Sequence, residues 1–316
     1  MPYVVPRCRI VPRADQAFAF VVDGVERLVW RFDPVHTRPF FHPLIGPSGA
    51  ELTRIGHPGA PDHDHHRGIW FAHNAVEGVD FWSEGKPPRI RQTGWLMQQE
   101  GDDAAVLGVE LAWLKDDRET LLKQRVLAGL SPGERMGETR LEIQTELTPT
   151  AETLTLGKTN FGLLAVRVAR QLSCFFGDGR LTDSEGRVDE PAIFGQAARW
   201  MDYSGPAVGP FDRPTKPGAT IDAREGITFF DHPTNPNHPA KWHVREDGWM
   251  GASLCRDAAL TLDRAKPLTL RYLIATHAGA YDATRADRMF HDFVESRPWT
   301  IKNYPKKHTR WGVERS

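Results

Sequence analysis

Residues 62–68 read Asp-His-Asp-His-His-Arg-Gly, and His57 and His73 stand on either side, so five of the chain's 13 histidines fall within 17 residues. Imidazole is the side chain best suited both to moving protons near neutral pH and to ligating metals. Packing so many imidazoles and carboxylates together is costly unless each finds a partner, which makes this segment the strongest pointer to chemistry in the chain. His63, His65, His66 and His73 are candidate acids and bases, and Asp62 is a carboxylate able to orient one of them. Read as extended chain, residues 62–66 place His63 and His65 on one face and Asp62, Asp64 and His66 on the other. A His-x-His pair can offer two nitrogens to one ion, so His63, His65 and Asp64 are the candidate ligands if a divalent metal is bound.

Other segments supply groups suited to holding a polar substrate. Arg38 and His42 lie in Arg38–Gly46, and Arg67 follows the histidines directly. Asp231–His243 is proline-stiffened and carries His232, Asn235, Trp242 and His243. Its amides and imidazoles suit hydroxyl groups, and its indole offers a flat face to the apolar side of a sugar ring. Glu185, in Leu181–Gly186, is a further carboxylate, and Arg199, Asp202 and Tyr203 are weaker contacts beside it. Lys158 and Asn160 precede an apolar run, Arg271 lies within a strand-like segment, and His277 lies just after it, where a strand end forms a pocket rim. Each of these sets also reads as loop polarity satisfied by its own neighbours.

The elements that must position these groups are strands. Arg140–Leu147 alternates, with Leu141, Ile143 and Leu147 on one face and Arg140, Glu142, Gln144 and Glu146 on the other. Leu268, Leu270, Tyr272 and Ile274 repeat the pattern. Ala17–Val22, Asp23-Gly24 and Val25–Phe32 form a hairpin signal, because Asp-Gly supplies the positive φ angles of a tight turn. Val106–Leu114, Leu121–Leu127 and Gly162–Val168 are further strands, while Pro206–Pro217 and His232–Pro239 are ordered loops. One helix is expected over 283–296, with Asp282 as cap, Ala286, Met289, Phe290, Phe293 and Val294 as an apolar stripe, and Pro298 beyond its end. Many short strands and one helix predict an all-β fold, a large antiparallel β-sandwich occupying residues 1–316 as a single domain.

Forty basic residues against 41 acidic ones leave a net charge of -1, so nothing in the composition calls for nucleic acid or an anionic membrane. No apolar run is long enough to span a bilayer, and the N-terminus lacks a signal-peptide core. Cys8, Cys174 and Cys255 are odd in number and widely spaced, which argues for reduced thiols in a cytoplasmic protein. Nucleotide-binding glycine motifs are missing. Oligomeric state is not encoded in any pattern we recognise.

Four blocks, Arg38–Gly46, Asp62–Trp82, Leu181–Gly205 and Phe230–Arg245, resemble the bacterial PmoA-like family of unknown function. The family name is borrowed from a membrane methane monooxygenase subunit. Without a membrane span, methane oxidation does not fit this chain. The resemblance implies a galactose-mutarotase-like supersandwich and a carbohydrate ligand. It also implies an acidic residue near Lys158, where this chain has Thr159 and Asn160. Together with the histidines it leads to a carbohydrate-active enzyme using His/Asp acid–base chemistry, with or without a divalent metal ion, on a sugar or keto-sugar. The reaction classes are elimination, hydration, hydrolysis and epimerisation. Two other classes remain open: an Fe(II)-dependent oxygenase with two His and one carboxylate as ligands, and a non-catalytic carbohydrate-binding protein.

Overall fold

The computed structural model describes residues 4–57, 63–84, 87–208, 223–306 and 309–316. Asp62 and most of the Pro206–Pro217 stretch therefore lie outside the described residues.

Two eight-stranded antiparallel sheets dominate. The first runs, in spatial order, β1 (Cys8–Arg13), β2 (Ala17–Val22), β3 (Val25–Arg31), β4 (Phe40–Leu44), β5 (Ile69–His73), β11 (Gly162–Arg167), β16 (Trp249–Ser253) and β15 (Lys241–Arg245). The second runs β12 (Arg180–Asp183), β13 (Trp200–Pro206), β14 (Arg224–Asp231), β18 (Leu268–Ala278), β9 (Thr139–Pro149), β8 (Thr120–Pro132), β7 (Ala105–Leu114) and β6 (Arg89–Gln99). Two small pairs, β10 (Thr153–Leu156) with β17 (Leu260–Asp263) and β19 (Trp299–Lys306) with β20 (Thr309–Arg315), complete the strands. The all-β expectation holds, and each strand forecast from alternation is present.

Alternation decides which face each residue takes. Leu141, Ile143, Leu147, Leu270, Tyr272 and Ile274 of the second sheet enter one buried cluster. Ile69, Phe71, Trp242, Val244, Met250 and Ala252 of the first sheet enter the same cluster, so the core lies between the sheets. The residues of opposite parity, such as Trp70, Ala72 and Trp249, form a separate aromatic cluster on the outer face of the first sheet. The Asp23-Gly24 turn has φ values of 51° and 80°, as a two-residue hairpin turn requires.

Helix α1 (Asp189–Ile193) is a single short turn, and α2 (Ala283–Glu295) is the expected C-terminal helix. Asp282 caps α2 by accepting from the Arg285 amide at 3.0 Å. Ala286, Met289, Phe290 and Phe293 seat it on Trp200, Phe230, Leu273 and Ala275, the outer face of the second sheet. The cysteines are unpaired thiols, with Cys8 and Cys255 buried. No helix among the described residues is long and apolar enough to cross a membrane.

Candidate active site

A cavity of about 390 Å³ opens on the outer face of the first sheet. That volume lies at the low end of the ~300–1,000 Å³ typical of small-molecule sites. Its floor comes from strands β15 and β16, and its walls come from the segments before and after β5. His243 and Arg245 alternate with core residues Trp242 and Val244, and Trp249 alternates with Met250, so parity alone turns His243, Arg245 and Trp249 outward.

The histidine segment is a turn rather than an extended chain. The His66 amide donates to the His63 carbonyl at 3.1 Å, and the Gly56 amide donates to the His66 carbonyl at 2.8 Å. This turn gathers the rings of His63, His65 and His66, which the extended reading would have split between two faces. Their centroids lie 4.3 Å apart for His65–His66, 5.3 Å for His63–His66 and 5.9 Å for His63–His65. Gly68 ends the segment at φ 56°, where a Cβ would come within 2.1 Å of the Phe41 carbonyl oxygen. Only glycine fits there, which accounts for the last residue of the motif.

His66 is 3% exposed and stacks on Trp70 at 5.3 Å, with Trp249 at 5.2 Å and Trp82 edge-on at 5.9 Å. Burial holds its pKa far below the ordinary value, and His65, Arg167 and His63 add to the effect. His243 is equally buried, lies 4.0 Å from Trp249, and is pushed down to about 3 by burial and then by Arg245. Both rings are neutral at physiological pH, each with one donor and one acceptor nitrogen. The Asn160 carbonyl lies 3.3 Å from His243 Nδ1 and fixes its orientation.

A charged centre adjoins them. Asp247, which lines the cavity, is held by the fully buried Arg167 through bonds of 2.8 and 3.2 Å. His57 Nε2 lies 3.1 Å from the same carboxylate, and Arg54 donates to the Asp247 carbonyl at 2.6 Å. Burial alone would raise the Asp247 pKa; the Arg167 bonds and charge, with His57, outweigh it and hold it below the ordinary value. Asp247 is therefore an ionised carboxylate at the cavity edge.

Four lining side chains carry buried polar atoms with no hydrogen-bond partner among the described residues: His66 Nδ1, Asn74 Oδ1, His243 Nε2 and Trp249 Nε1. Buried polar atoms are rarely left unpaired, and each costs about 1–3 kcal/mol when they are.

The structure separates the other sequence candidates. His73 shares the inward parity of Ile69 and Phe71; it is fully buried, lies 3.1 Å from the Gly157 carbonyl, and is pushed down to about 4 by burial. It is not among the cavity-lining residues, whereas Asn74, one step on, is. Arg38 is 2% exposed and donates to the carbonyls of Trp82 at 2.6 Å and His65 at 3.3 Å, so it ties the two walls together rather than facing the cavity. Arg67 pairs with Glu84 at 2.9 Å, and His42 contacts Thr53 at 3.1 Å. Trp242 has core parity and donates to the Ala198 carbonyl at 2.8 Å; Trp82 and Trp249 supply the aromatic faces in its place.

The Asp231–His243 segment reaches the cavity only at its last residue. His232 accepts from Arg271 at 3.0 Å, and Asn235 bonds the Arg271 backbone and Asp231, so both stabilise an end of the second sheet. Glu185 sits in an exposed turn bonded to Ser184. His277 pairs with Asp202 at 2.8 Å on the second sheet, away from these residues.

Asp64 is exposed. Among the described residues no group of three or more His, Cys, Asp or Glu side chains is arranged to hold a metal ion. Asp247, Trp249 and Asn74 were missed from the sequence. The signal for the first two was the Asp247-Gly248 turn, which joins β15 to β16.

Residues 17–291 match a family described as "Family of unknown function (DUF6807)". No curated protein matches. Solved structures that resemble the chain include the galactosidase domain of an α-galactosidase–sucrose kinase, at 10% identity and TM-score 0.43, covering 86% of this chain and 42% of that one. Others are 4-α-glucanotransferase from Thermococcus litoralis (9%, 0.31, 87% and 40%) and a provisionally named aldose 1-epimerase from Escherichia coli K12 (11%, 0.32, 85% and 98%). The chain spans about two fifths of the length of the first two. Likenesses of this degree transfer neither activity nor substrate.

Proposed function

We propose that this chain, which belongs to the family of unknown function DUF6807, is an enzyme that binds a sugar or keto-sugar in the outer cavity of its first sheet and moves protons on it. The observation that carries the reading is the set of four buried polar atoms, unpartnered among the described residues, in an aromatic-walled cavity. A sugar answers both halves of that description. Its hydroxyls donate and accept, and its apolar face lies against indole.

The roles follow from burial and charge. His66 and His243, held neutral, serve as fixed hydrogen-bond partners that polarise a hydroxyl or carbonyl; a strongly depressed imidazole is a weak base. His63 and His65 are half-buried, lie within ring contact of His66, and are the proton-transfer groups. Asp247, kept ionised by Arg167, orients His57 and presents negative charge to the substrate side. The reading covers epimerisation, elimination and related reactions next to a sugar carbonyl. The PmoA-like resemblance is compatible with it and adds no chemistry.

Titration calorimetry against a panel of aldoses, ketoses and oxidised sugars tests the binding half of the proposal. Saturable binding that Trp249→Ala weakens supports it. Binding of no sugar by the wild type contradicts it.

A further inference from the structure

The His277–Asp202 pair stands on the outer face of the second sheet, with the whole core between it and the sugar cavity. Asp202 is fully buried and accepts from Thr228 Oγ1 at 2.7 Å, from the Ser204 hydroxyl, and from His277 Nε2 at 2.8 Å. The pairing depends on Gly226 in the middle of β14. A Cβ there would meet His277 Nε2 and Ser204 Oγ at 2.4 and 2.7 Å. Glycine inside a strand weakens it, so its presence marks a close approach that the strand accommodates.

His277 also lines a cavity of about 100 Å³ at the start of α2. That space exceeds what one water needs, about 10–15 Å³ on the same measure. Nδ1 makes no hydrogen bond to a described residue. Tyr281 lines the same cavity; its oxygen accepts from Trp200 Nε1 at 3.0 Å, which leaves its proton to donate. Arg135, an exposed residue, is also among the lining residues, and no ion pair joins its guanidinium to a carboxylate among the described residues. Ala275, Ala286 and Met289 supply an apolar part of the wall, and Thr228, Asp282 and Arg285 also line it.

We infer that this second cavity is a binding site for a short-chain carboxylate, whose anionic head takes hydrogen bonds from His277 Nδ1, Tyr281 and Arg135 and whose alkyl tail lies on Ala275, Ala286 and Met289. The charges around His277 agree. Burial disfavours its protonation, but Asp202, with Glu138 behind it, outweighs burial and the opposing Arg285, and the imidazole is raised above its ordinary pKa. Asp282, the one carboxylate among the described lining residues, is engaged in capping α2. Arg285 is neutralised by Glu134 and Glu138. The inference does not rest on the sugar reading, since the two cavities share no residue.

The test follows the His277 ring resonances of the full chain by nitrogen-15 NMR during titration with propionate, with methylammonium as the control of opposite charge. We expect saturable shifts with propionate and none with methylammonium. Arg135→Ala removes an exposed side chain and should leave the fold intact while weakening propionate about tenfold, as expected for one charge-assisted hydrogen bond. Trp249→Ala, in the other cavity, should leave the propionate affinity unchanged. Absence of a saturable shift in the wild type, equal shifts with methylammonium, or undiminished affinity in Arg135→Ala would each overturn the assignment.

Discussion

Asp247→Asn removes the charge on which the site's electrostatics rest while nearly preserving shape. Arg167 is fully buried and its guanidinium is paired to Asp247 by two bonds. Removing one partner of a buried pair costs about 3–5 kcal/mol. The Asp247 side chain is 24% exposed, so solvent screens part of this, and a loss of about 2–3 kcal/mol is the expectation. Urea unfolding of the wild type and the variant reads the difference directly, and a fall in Tm of roughly 4–10 °C should accompany it. The pH dependence has a definite sign. Asp247 is ionised in the fold at a pKa below its ordinary value of 3.8, so its contribution is fully present above that value and is lost as pH falls through the lower folded pKa. The gap between wild type and variant should therefore be constant through neutral pH and shrink in strong acid. A difference below about 0.5 kcal/mol, the size of an ordinary surface substitution, or a gap that widens in acid, would refute the account of Asp247.

Acid should also unfold the protein through its neutral histidines. His42, His73 and His232 are lowered to about 4 and His243 to about 3, chiefly by burial, so stability should fall as pH drops from 6.5 towards 4 while the unfolded chain takes up protons that the fold refuses. Urea midpoints measured across that range check it, and a flat profile would contradict it. His73→Leu should destabilise by about 1–3 kcal/mol, by stripping the Gly157 carbonyl of its partner, yet leave sugar affinity unchanged; a selective loss of affinity would show that His73 reaches the cavity. Trp249→Ala should remove a wall of the cavity and weaken sugar binding about tenfold or more with the sheet intact, as read by calorimetry and circular dichroism.

The scaffold was legible because burial imposes a period of two. Leu141, Ile143 and Leu147 fall in the core as their spacing requires, and the apolar stripe of α2 does the same at helical spacing. Parity read along Ile69–His73 would also have placed His73 with Ile69 and Phe71, inside the sandwich. The turn at His63–His66 was not legible, since a run of polar residues has no periodicity to say whether it is extended or coiled. Neither was the meeting of that turn with Asp247 and Trp249. β5 reaches β16 only across β11, so strand order rather than local sequence brings residues some 180 positions apart to one cavity. The residues Arg38, His232, Asn235 and Trp242 have the chemistry of ligand contacts, but hydrogen bonds to backbone groups and to the buried Arg271 side chain already engage them.

Proton transfer on a bound sugar is most directly observed by proton NMR in deuterated water. A sugar or keto-sugar that the wild type binds should exchange a carbon-bound hydrogen for deuterium. His63→Ala and His65→Ala should each slow that exchange by about 10²–10⁴-fold while retaining the fold. Binding with no exchange in the wild type, or exchange at full rate in both variants, would contradict the claim that these histidines are an acid–base site.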